Sequence, residues 1–286
     1  MRVLVIGRTG QVSTELLARL PAAGHEAVGL EPPDFDLTDA GQVAEAFARY
    51  RPEAVINAAA YTAVDRAEDD RALAFAVNAT GPRLLGEAAA RAGVPVIHYS
   101  TDYVFDGVKP SPYTEADAPA PVGAYGASKL AGELLLHLAQ PRSVTFRTAW
   151  VCSAHGNNFV KTMLRFGRER PELRVVADQH GAPTWSRTIA DTTAQVLSQA
   201  RAGGANWWVG NSGVYHLSAQ GQTTWFEFTQ AIVEAAKLEC RVLPIASAEY
   251  PTPAKRPQYS MMSSERLMTR FCHLPDWKQA LHLCMD

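Results

Sequence analysis

The chain has 286 residues, of which 47% are hydrophobic and 20% charged, and its formal net charge at pH 7 is −2. That length allows a sizeable core, and the charge offers no basic excess for nucleic acid or a membrane surface. No apolar run approaches the ~20 residues of a membrane span, and the N-terminus enters a strand directly, so we expect neither a signal peptide nor a membrane partner. Four scattered cysteines favour a reducing cytoplasm over disulfides or zinc: Cys152, Cys240, Cys272 and Cys284.

The chain begins with the pattern of a dinucleotide-binding unit. The β-branched run Arg2–Ile6 predicts a buried strand, and residues 14–22 have the apolar spacing of a helix. A glycine-containing turn joins them, so the N–H groups and dipole of the helix N-terminus would form an anion site. Gly7 and Gly10 match the G-x-x-G-x-x-G pattern of such sites. Ser13 replaces the third glycine, and we expect only a slight adjustment of helix packing there.

Two charges give opposite indications about the adenosine ribose of the cofactor. A second strand ends at Glu31, where an acid would accept hydrogen bonds from ribose hydroxyls and disfavour a 2′-phosphate. Arg8, in the glycine turn, would instead pair with that phosphate. Both NADH and NADPH therefore remain open. Further along, Asp36 and Leu37 form an acid–hydrophobe pair of the kind that faces the adenine ring in this type of fold.

Small residues follow the next predicted strand, Ala54–Asn57. Ala59 and Ala60, within a run of three alanines, would let a flat cofactor approach the backbone at the carboxyl end of that strand. A helix predicted over residues 72–92 contains Asn78. Because asparagine is disfavoured inside helices, its presence predicts a specific hydrogen bond or a bend.

The alternation of strands and helices defines the fold class. A further strand over residues 94–99 completes a pattern of parallel β-α-β units with right-handed crossovers. We therefore expect an α/β protein with a Rossmann-type doubly wound parallel sheet and a dinucleotide-binding core over residues 1–150. Beyond it strands are short, and Trp and Pro become frequent in loops. Residues 151–286 are expected to form mainly a smaller α/β substrate lobe, with excursions returning to the core.

One helical stretch carries a candidate acid or base. Tyr125 and Lys129 are four residues apart, so on a helix they rise from one face and share one small volume. An adjacent ammonium stabilises a phenolate, so the spacing predicts that Lys129 lowers the pKa of Tyr125 below its reference of about 10. Such a phenol would be a usable acid or base near neutral pH.

Longer motifs give the chain a specific resemblance. It resembles the extended short-chain dehydrogenases/reductases and, among them, the dTDP-4-dehydrorhamnose reductase family, nearly from end to end. The motifs that carry the resemblance are Gly10-Gln11-Val12, Asn57-Ala58-Ala59-Ala60-Tyr61-Thr62-Ala63-Val64-Asp65, Ser100-Thr101-Asp102-Tyr103-Val104-Phe105, Tyr125-Gly126-Ala127-Ser128-Lys129, Arg147-Thr148-Ala149-Trp150, Asp178-Gln179-His180-Gly181 and Tyr250-Pro251-Thr252-Pro253-Ala254.

The resemblance implies a reductase active site. Thr101, Tyr125 and Lys129 would be catalytic, with Tyr125 donating a proton to a C4 ketone as hydride arrives from NADPH or NADH. The implied substrate is dTDP-4-dehydro-L-rhamnose, which is reduced to dTDP-L-rhamnose, and the resemblance is compatible with a homodimer. The implied substrate contacts are Thr101, Asp102, Tyr125 and Trp150, and the candidate cofactor contacts are Gly7, Gly10, Gln11, Val12, Glu31, Asp36, Leu37, Ala59, Ala60, Tyr61, Tyr125 and Lys129.

Position 103 narrows the reaction. Related sugar-nucleotide 4,6-dehydratases carry Asp-Glu after the threonine, whereas this chain has Asp102 and Tyr103, so dehydration lacks its base and reduction is favoured. Two alternatives remain: reduction of another dTDP-4-keto-deoxysugar, and a non-catalytic dinucleotide-binding regulatory subunit.

The second half departs from the family pattern in two places. Met261 and Met262 stand where a cation followed by an apolar residue is more usual, which leaves the sugar or diphosphate contacts open. Some family members hold Mg²⁺ between subunits with acidic side chains. Glu15 could match one of these, but Arg187 occupies the place of another, so we predict no metal. Arg256 is a further candidate contact for the nucleotide-sugar.

Overall fold

The computed structural model describes residues 1–285, and its centre is a six-stranded parallel sheet. The strands lie in the order β10-β5-β4-β3-β1-β2, and every adjacent pair is parallel. Because β1 has β2 on one side and β3 on the other, the strand order reverses at β1, and a ligand crevice is expected at the carboxyl ends of β1 and β3. The sheet strands are β1 Arg2–Ile6, β2 Glu26–Leu30, β3 Ala54–Asn57, β4 Val96–Thr101, β5 Ser143–Thr148 and β10 Gly213–His216.

Helices cover both faces of this sheet, so the predicted Rossmann-type doubly wound α/β fold is confirmed. On one face Leu16 and Leu20 pack with Val196, and on the other Phe47 and Leu85 lie in a second buried cluster. Burial of these apolar side chains on both faces is the main stabilising contribution. The helices are α1 Gln11–Ala22, α2 Ala40–Tyr50, α3 Arg71–Phe75, α4 Gly81–Ala92, α5 Ala124–Ala139, α6 Phe159–Glu169, α7 Ser186–Gly203, α8 Trp207–Asn211, α9 Trp225–Ala235, α10 Glu265–Arg270 and α11 Trp277–Met285.

The helix predicted over residues 72–92 is interrupted around Asn78. A π-helical turn, Ala76–Thr80, separates α3 from α4. Here α5 approaches so closely that a Cβ on Gly132 would lie 1.9 Å from the carbonyl oxygen of Asn78. Only glycine fits that contact, so the glycine at position 132 and the π-helical turn at Asn78 both belong to the close packing of α5 here.

The second half adds small sheets and also returns to the core. Strand β10 joins the central sheet beside β5, and α7 packs against α1. The boundary near residue 150 remains a prediction. Within residues 1–285 no helix is long and apolar enough to cross a membrane. The short sheets pair β6 Val151–Cys152 with β9 Thr184–Trp185, β7 Glu172–Val176 with β12 Arg241–Ile245, and β8 His180–Gly181 with β11 Thr223–Thr224.

Candidate active site

The glycine turn after β1 forms one wall of the crevice. Gly7 has φ +101°, a conformation that L side chains rarely adopt. A Cβ there would lie 2.7 Å from the Ser13 hydroxyl and 3.4 Å from the backbone nitrogen of Ala59. Ser13 is itself buried, so the serine packs directly against the turn in place of the missing third glycine. Helix α1 begins at Gln11. The preceding residue, Gly10, has no side chain to cap the helix, so the first N–H groups of α1 remain available to an anion.

Glu31 and Arg8, the two opposing indicators of cofactor choice, contact each other. The Glu31 carboxylate accepts hydrogen bonds from the backbone N–H groups of Arg8 and Thr9 at 3.0 and 2.9 Å, and from the Thr9 hydroxyl at 3.0 Å. The Arg8 guanidinium lies 3.4 Å from the same carboxylate. These hydrogen bonds, the one from Thr9 N–H foremost, lower the pKa of Glu31, so a fixed negative charge borders the glycine turn.

The predicted adenine contacts lie in different environments. Asp36 is exposed, and its Oδ1 accepts hydrogen bonds from the backbone N–H and the hydroxyl of Thr38, both at 2.8 Å. Leu37 is buried in the core between α2 and α4, where it would meet a Cβ on Gly81 at 2.6 Å. Local packing therefore accounts for both residues, and their contact with the cofactor remains a prediction.

Asn78 ties the far wall of the crevice to α5. Its Oδ1 accepts from the backbone N–H of Tyr61 at 2.8 Å, and its Nδ2 donates to the Tyr61 carbonyl and to the Ser128 hydroxyl, each at 3.0 Å. The expectation of a specific hydrogen bond at Asn78 is therefore confirmed. These bonds fix the loop that carries Ala59, Ala60 and Tyr61 relative to α5.

The predicted catalytic hydroxyls meet at the carboxyl end of β4. Thr101 is the last residue of β4, and its hydroxyl lies next to the phenol of Tyr125, which stands in the first turn of α5. A Cβ on Gly126 would lie 2.1 Å from the carbonyl oxygen of Tyr103, so the glycine lets α5 come this close. The Tyr103 ring meets Tyr125 edge-on, with 5.5 Å between centroids.

Asp102 lies beside this pair and is 2% exposed. Its Oδ1 accepts from the Thr101 hydroxyl at 3.0 Å, whereas its Oδ2 has no hydrogen-bond partner within the described residues. Burial raises the pKa of Asp102 to about 6, while the nearby hydroxyls of Ser260 and Thr101 act the other way. An unpartnered carboxylate oxygen at this depth is suited to receive a hydroxyl of a bound sugar.

Lys129 corrects the expectation drawn from its spacing to Tyr125. Its ammonium donates to the carbonyl oxygen of Tyr99 at 2.7 Å and lies 3.5 Å from His98 Nε2, so its contacts are with β4. The prediction that Lys129 lowers the pKa of Tyr125 is wrong, because burial dominates and raises that pKa above its ordinary value. Tyr125 is therefore protonated at neutral pH, which is the state that a proton donor needs.

Trp150 is held in a strained conformation by a partner that the sequence did not reveal. It has φ +47°, and its ring stacks on Trp225 with 3.5 Å between centroids and 7° between planes. A Cβ on Gly181 would lie 2.4 Å from the indole, so glycine is required beneath it. The two indoles form an aromatic platform. The one sequence feature that could have indicated this stack is the tryptophan at the start of α9, Trp225.

Two other predicted features have structural partners. Arg256 donates to Asp65 Oδ2 at 2.7 Å and to the Tyr103 hydroxyl at 3.5 Å, so it braces the loop behind Tyr103. Met262 packs with Phe105 and pairs with Tyr113 in an isolated β-bridge. Met261, which stands at the position of the usual cation, is itself buried, so the departure from a cation coincides with a buried apolar side chain.

The residues considered for a metal form an ion pair. Glu15 is buried, and its carboxylate accepts from Arg187 Nε at 3.1 Å, with His155 Nε2 at 3.5 Å. The arginine supplies the positive charge that a cation would bring, and the absence of a metal stays a prediction.

The sheet has a glycine turn after β1, and the helix after β4 carries Tyr125 and Lys129. This combination is typical of the extended short-chain dehydrogenases/reductases. The family model described as "RmlD substrate binding domain" matches residues 1–286. A dTDP-4-dehydrorhamnose reductase of Burkholderia thailandensis is 48% identical over 297 residues, which cover 100% of this chain and 98% of the relative. The chain therefore belongs to the dTDP-4-dehydrorhamnose reductase family, and its prediction as an oxidoreductase is confirmed.

Solved structures agree with this assignment. A dTDP-4-dehydrorhamnose reductase from Clostridium acetobutylicum has a TM-score of 0.94 and 36% identity, covering 100% of this chain and 99% of that one. The enzyme from Bacillus anthracis, described in complex with NADP, has a TM-score of 0.92 and 36% identity, with coverage of 99% and 98%. A solved structure of the family thus holds a nicotinamide dinucleotide, the class of cofactor that the sequence predicts for this chain.

Proposed function

We propose that this protein reduces the C4 ketone of dTDP-4-dehydro-L-rhamnose to the alcohol of dTDP-L-rhamnose with NADPH or NADH. The observation that carries the proposal is the meeting of the Thr101 and Tyr125 hydroxyls at the carboxyl end of β4, with the buried Asp102 bonded to Thr101. Family membership gives the substrate class, and these side chains give the chemistry.

The crevice at β1 and β3 fits a dinucleotide. Gly7 leaves no Cβ between the turn and the Ala59 backbone, and the α1 N-terminus offers N–H groups to a diphosphate. Glu31 would accept from ribose hydroxyls, and Lys129 would hold the nicotinamide ribose. When bound, the reduced nicotinamide supplies the hydride to C4. The other residues proposed to line the cofactor are Gly10, Gln11, Val12, Asp36, Leu37, Ala60, Tyr61 and Tyr125.

The proton that completes the alcohol comes from the Tyr125 phenol. As negative charge develops on the ketone oxygen, the phenol O–H donates to it and transfers its proton. The hydroxyl of Thr101, which donates to Asp102 Oδ1 in the structure, would turn its proton to the same oxygen and stabilise the developing charge. Because burial keeps the pKa of Tyr125 above its ordinary value, the donor stays loaded across the neutral range.

The sugar is held by groups on both sides of this pair. Asp102 Oδ2 would accept from a sugar hydroxyl, which supplies the partner that this oxygen lacks within the described residues. Trp150, fixed by Trp225, would cover an apolar face of the substrate. Tyr103 stands where a dehydratase would carry its glutamate, so the site offers no second carboxylate there to remove a proton for water loss.

The test is consumption of NADPH or NADH with dTDP-4-dehydro-L-rhamnose as substrate, followed at 340 nm. We expect stoichiometric formation of dTDP-L-rhamnose. Parallel rates with other dTDP-4-keto-deoxysugars identify the preferred substrate. A folded protein that binds the cofactor but turns over none of these sugars would contradict the proposal and favour a regulatory role.

A further inference from the structure

A continuous chain of buried polar groups runs beneath the candidate active site. The backbone N–H of Ala59 donates to Asn57 Oδ1 at 3.2 Å, and Asn57 Nδ2 lies 3.2 Å from His98 Nδ1. His98 Nε2 then lies 3.5 Å from Lys129 Nζ, which also donates to the carbonyl oxygen of Tyr99. Asn57, His98 and Lys129 are at most 2% exposed, so bulk solvent does not reach these contacts. The chain links the wall of the cofactor crevice to the lysine.

The directions of these hydrogen bonds determine the tautomer of His98. Because Asn57 Oδ1 accepts from Ala59, the amide nitrogen faces His98 and donates to Nδ1. Nδ1 is then unprotonated. Burial is the largest cause that holds the pKa of His98 well below its ordinary value, so the ring is neutral and its one proton is on Nε2.

An Nε2–H group faces Lys129 as a donor. An ammonium is also only a donor, so the charged lysine has no hydrogen bond to make in this direction. A neutral amine, in contrast, accepts from Nε2–H while it donates to the Tyr99 carbonyl. Burial acts in the same direction: it lowers the pKa of Lys129 to about 8, so the neutral amine becomes accessible just above neutral pH.

The other charges around Lys129 do not replace the missing acceptor. Glu133 follows one turn later on α5 and favours the charged lysine, but its carboxylate is engaged by Arg147 of β5. His137, a further turn along α5, has its Nδ1 at 2.8 Å from the Ser143 hydroxyl, and burial lowers its pKa. Tyr125 stands at the other end of the same helix face and is uncharged.

We propose that His98 is a positioning residue for Lys129: held by Asn57 as the Nε2–H tautomer, it keeps the amine in place and favours its neutral form. The inference rests on the proposed function only in that Lys129 serves the reaction. It makes the protonation of Lys129 responsive to the hydroxyl groups that a bound ribose would offer, because those groups supply the acceptors that His98 withholds.

The tautomer is measured directly by ¹H–¹⁵N NMR of the histidine rings in the full chain, with the His98 signals assigned from their loss in His98→Gln. We expect a neutral His98 ring with a protonated Nε2 and an unprotonated Nδ1 throughout pH 6–9 (about the range of folded stability). A protonated Nδ1, or a charged ring at pH 7, would overturn the proposal. This readout needs no activity, so its failure is distinct from failure of the proposed function.

Asn57→Asp should reverse the direction of the hydrogen bonds that run from residue 57 through His98 to Lys129. A carboxylate accepts from Nδ1–H, which turns Nε2 into an acceptor for the Lys129 ammonium and adds negative charge. We expect the alkaline limb of kcat/KM to move to higher pH by about one unit or more. His137→Gln, which alters a histidine outside this chain, should leave the limb in place. A limb that stays fixed or moves to lower pH in Asn57→Asp would contradict the role assigned to His98.

Discussion

Helix α5 carries two buried ionisable side chains four residues apart, Lys129 and Glu133, and their surroundings satisfy them differently. Glu133 receives hydrogen bonds from Arg147 Nε and Nη2 at 2.7 to 3.2 Å, across to β5. Lys129 donates to a backbone carbonyl and otherwise lies against the neutral ring of His98 on β4. Within the described residues no carboxylate bonds to Lys129. Glu133, in the turn that faces β5, forms an ion pair with Arg147. Lys129, in the turn that faces the candidate site, has no hydrogen-bonded counter-ion within the described residues.

The difference separates a structural charge from a functional one. A buried ion pair with all its hydrogen bonds made contributes a fixed connection between helix and sheet. A buried lysine with too few acceptors, and the nearby Asp102 with an unpartnered oxygen, cost stability that bound ligands can recover. Charges of the second kind gather where the cofactor and sugar are proposed to bind.

Breaking the closed pair should have the largest effect on stability. Glu133→Gln leaves the Arg147 guanidinium buried without a counter-ion and should lower the free energy of unfolding by about 3 to 5 kcal/mol. Denaturant unfolding measures the change. Lys129→Met is the matched control on the same helix face, and it should be neutral or stabilising while abolishing reductase activity. Equal destabilisation by both variants would remove the distinction between the two turns.

Asp102→Asn sharpens the comparison with an acid. Burial raises the pKa of Asp102 to about 6 from its unfolded value of 3.8, so the folded protein holds this proton more tightly than the unfolded chain. Ionisation therefore costs stability above that range and nothing well below it. The variant should gain about 1 to 3 kcal/mol in unfolding free energy at pH 8 and little at pH 4, and it should lose activity.

The control for this prediction is Asp117→Asn. Asp117 accepts from Lys109 Nζ and from Thr114 N–H, both at 2.6 Å, and these bonds lower its pKa to about 2. Its ionised form is the favoured one, so its removal should destabilise the protein at pH 8. Urea unfolding at the two pH values separates the cases. A gain from Asp102→Asn that is the same at pH 4 and pH 8 would exclude ionisation as its cause.

A smaller change is expected at the satisfied acid of the cofactor wall. Glu31→Gln removes a negative charge near the proposed position of the adenosine ribose but keeps an oxygen to accept from Thr9 N–H. The ratio of kcat/KM for NADPH to that for NADH should rise about tenfold, because a 2′-phosphate no longer meets a carboxylate. Asp34→Asn, which alters the more exposed partner of Arg8, should change the ratio less. An unchanged ratio in Glu31→Gln would mean that Glu31 does not face the ribose.

Local patterns in the sequence predicted the fold well because each one has a short-range cause. The β-branched run before Gly7, the alternation of strands and helices, and the misfit of Asn78 in a helix all depend on neighbours along the chain. The burial of both faces of the sheet then follows from parallel β-α-β geometry, which places helices on each face.

Contacts between segments that are distant along the chain could not be predicted from the sequence patterns. The spacing of Tyr125 and Lys129 put both on one helix face, but only packing against β4 turns the lysine to Tyr99 and buries the phenol. Likewise Trp225 reaches Trp150 from a helix much further along the chain. The pKa prediction was wrong for this reason, since desolvation depends on the whole fold.

The central claim is that the Tyr125 phenol supplies the proton for ketone reduction, and single-turnover reduction of dTDP-4-dehydro-L-rhamnose by Tyr125→Phe tests it most directly. The phenyl ring keeps the packing against Tyr103 but has no proton to give. We predict unchanged binding of NADPH, measured by fluorescence, and a rate of reduction lower by about 10²-fold or more. Reduction at the wild-type rate would contradict the account.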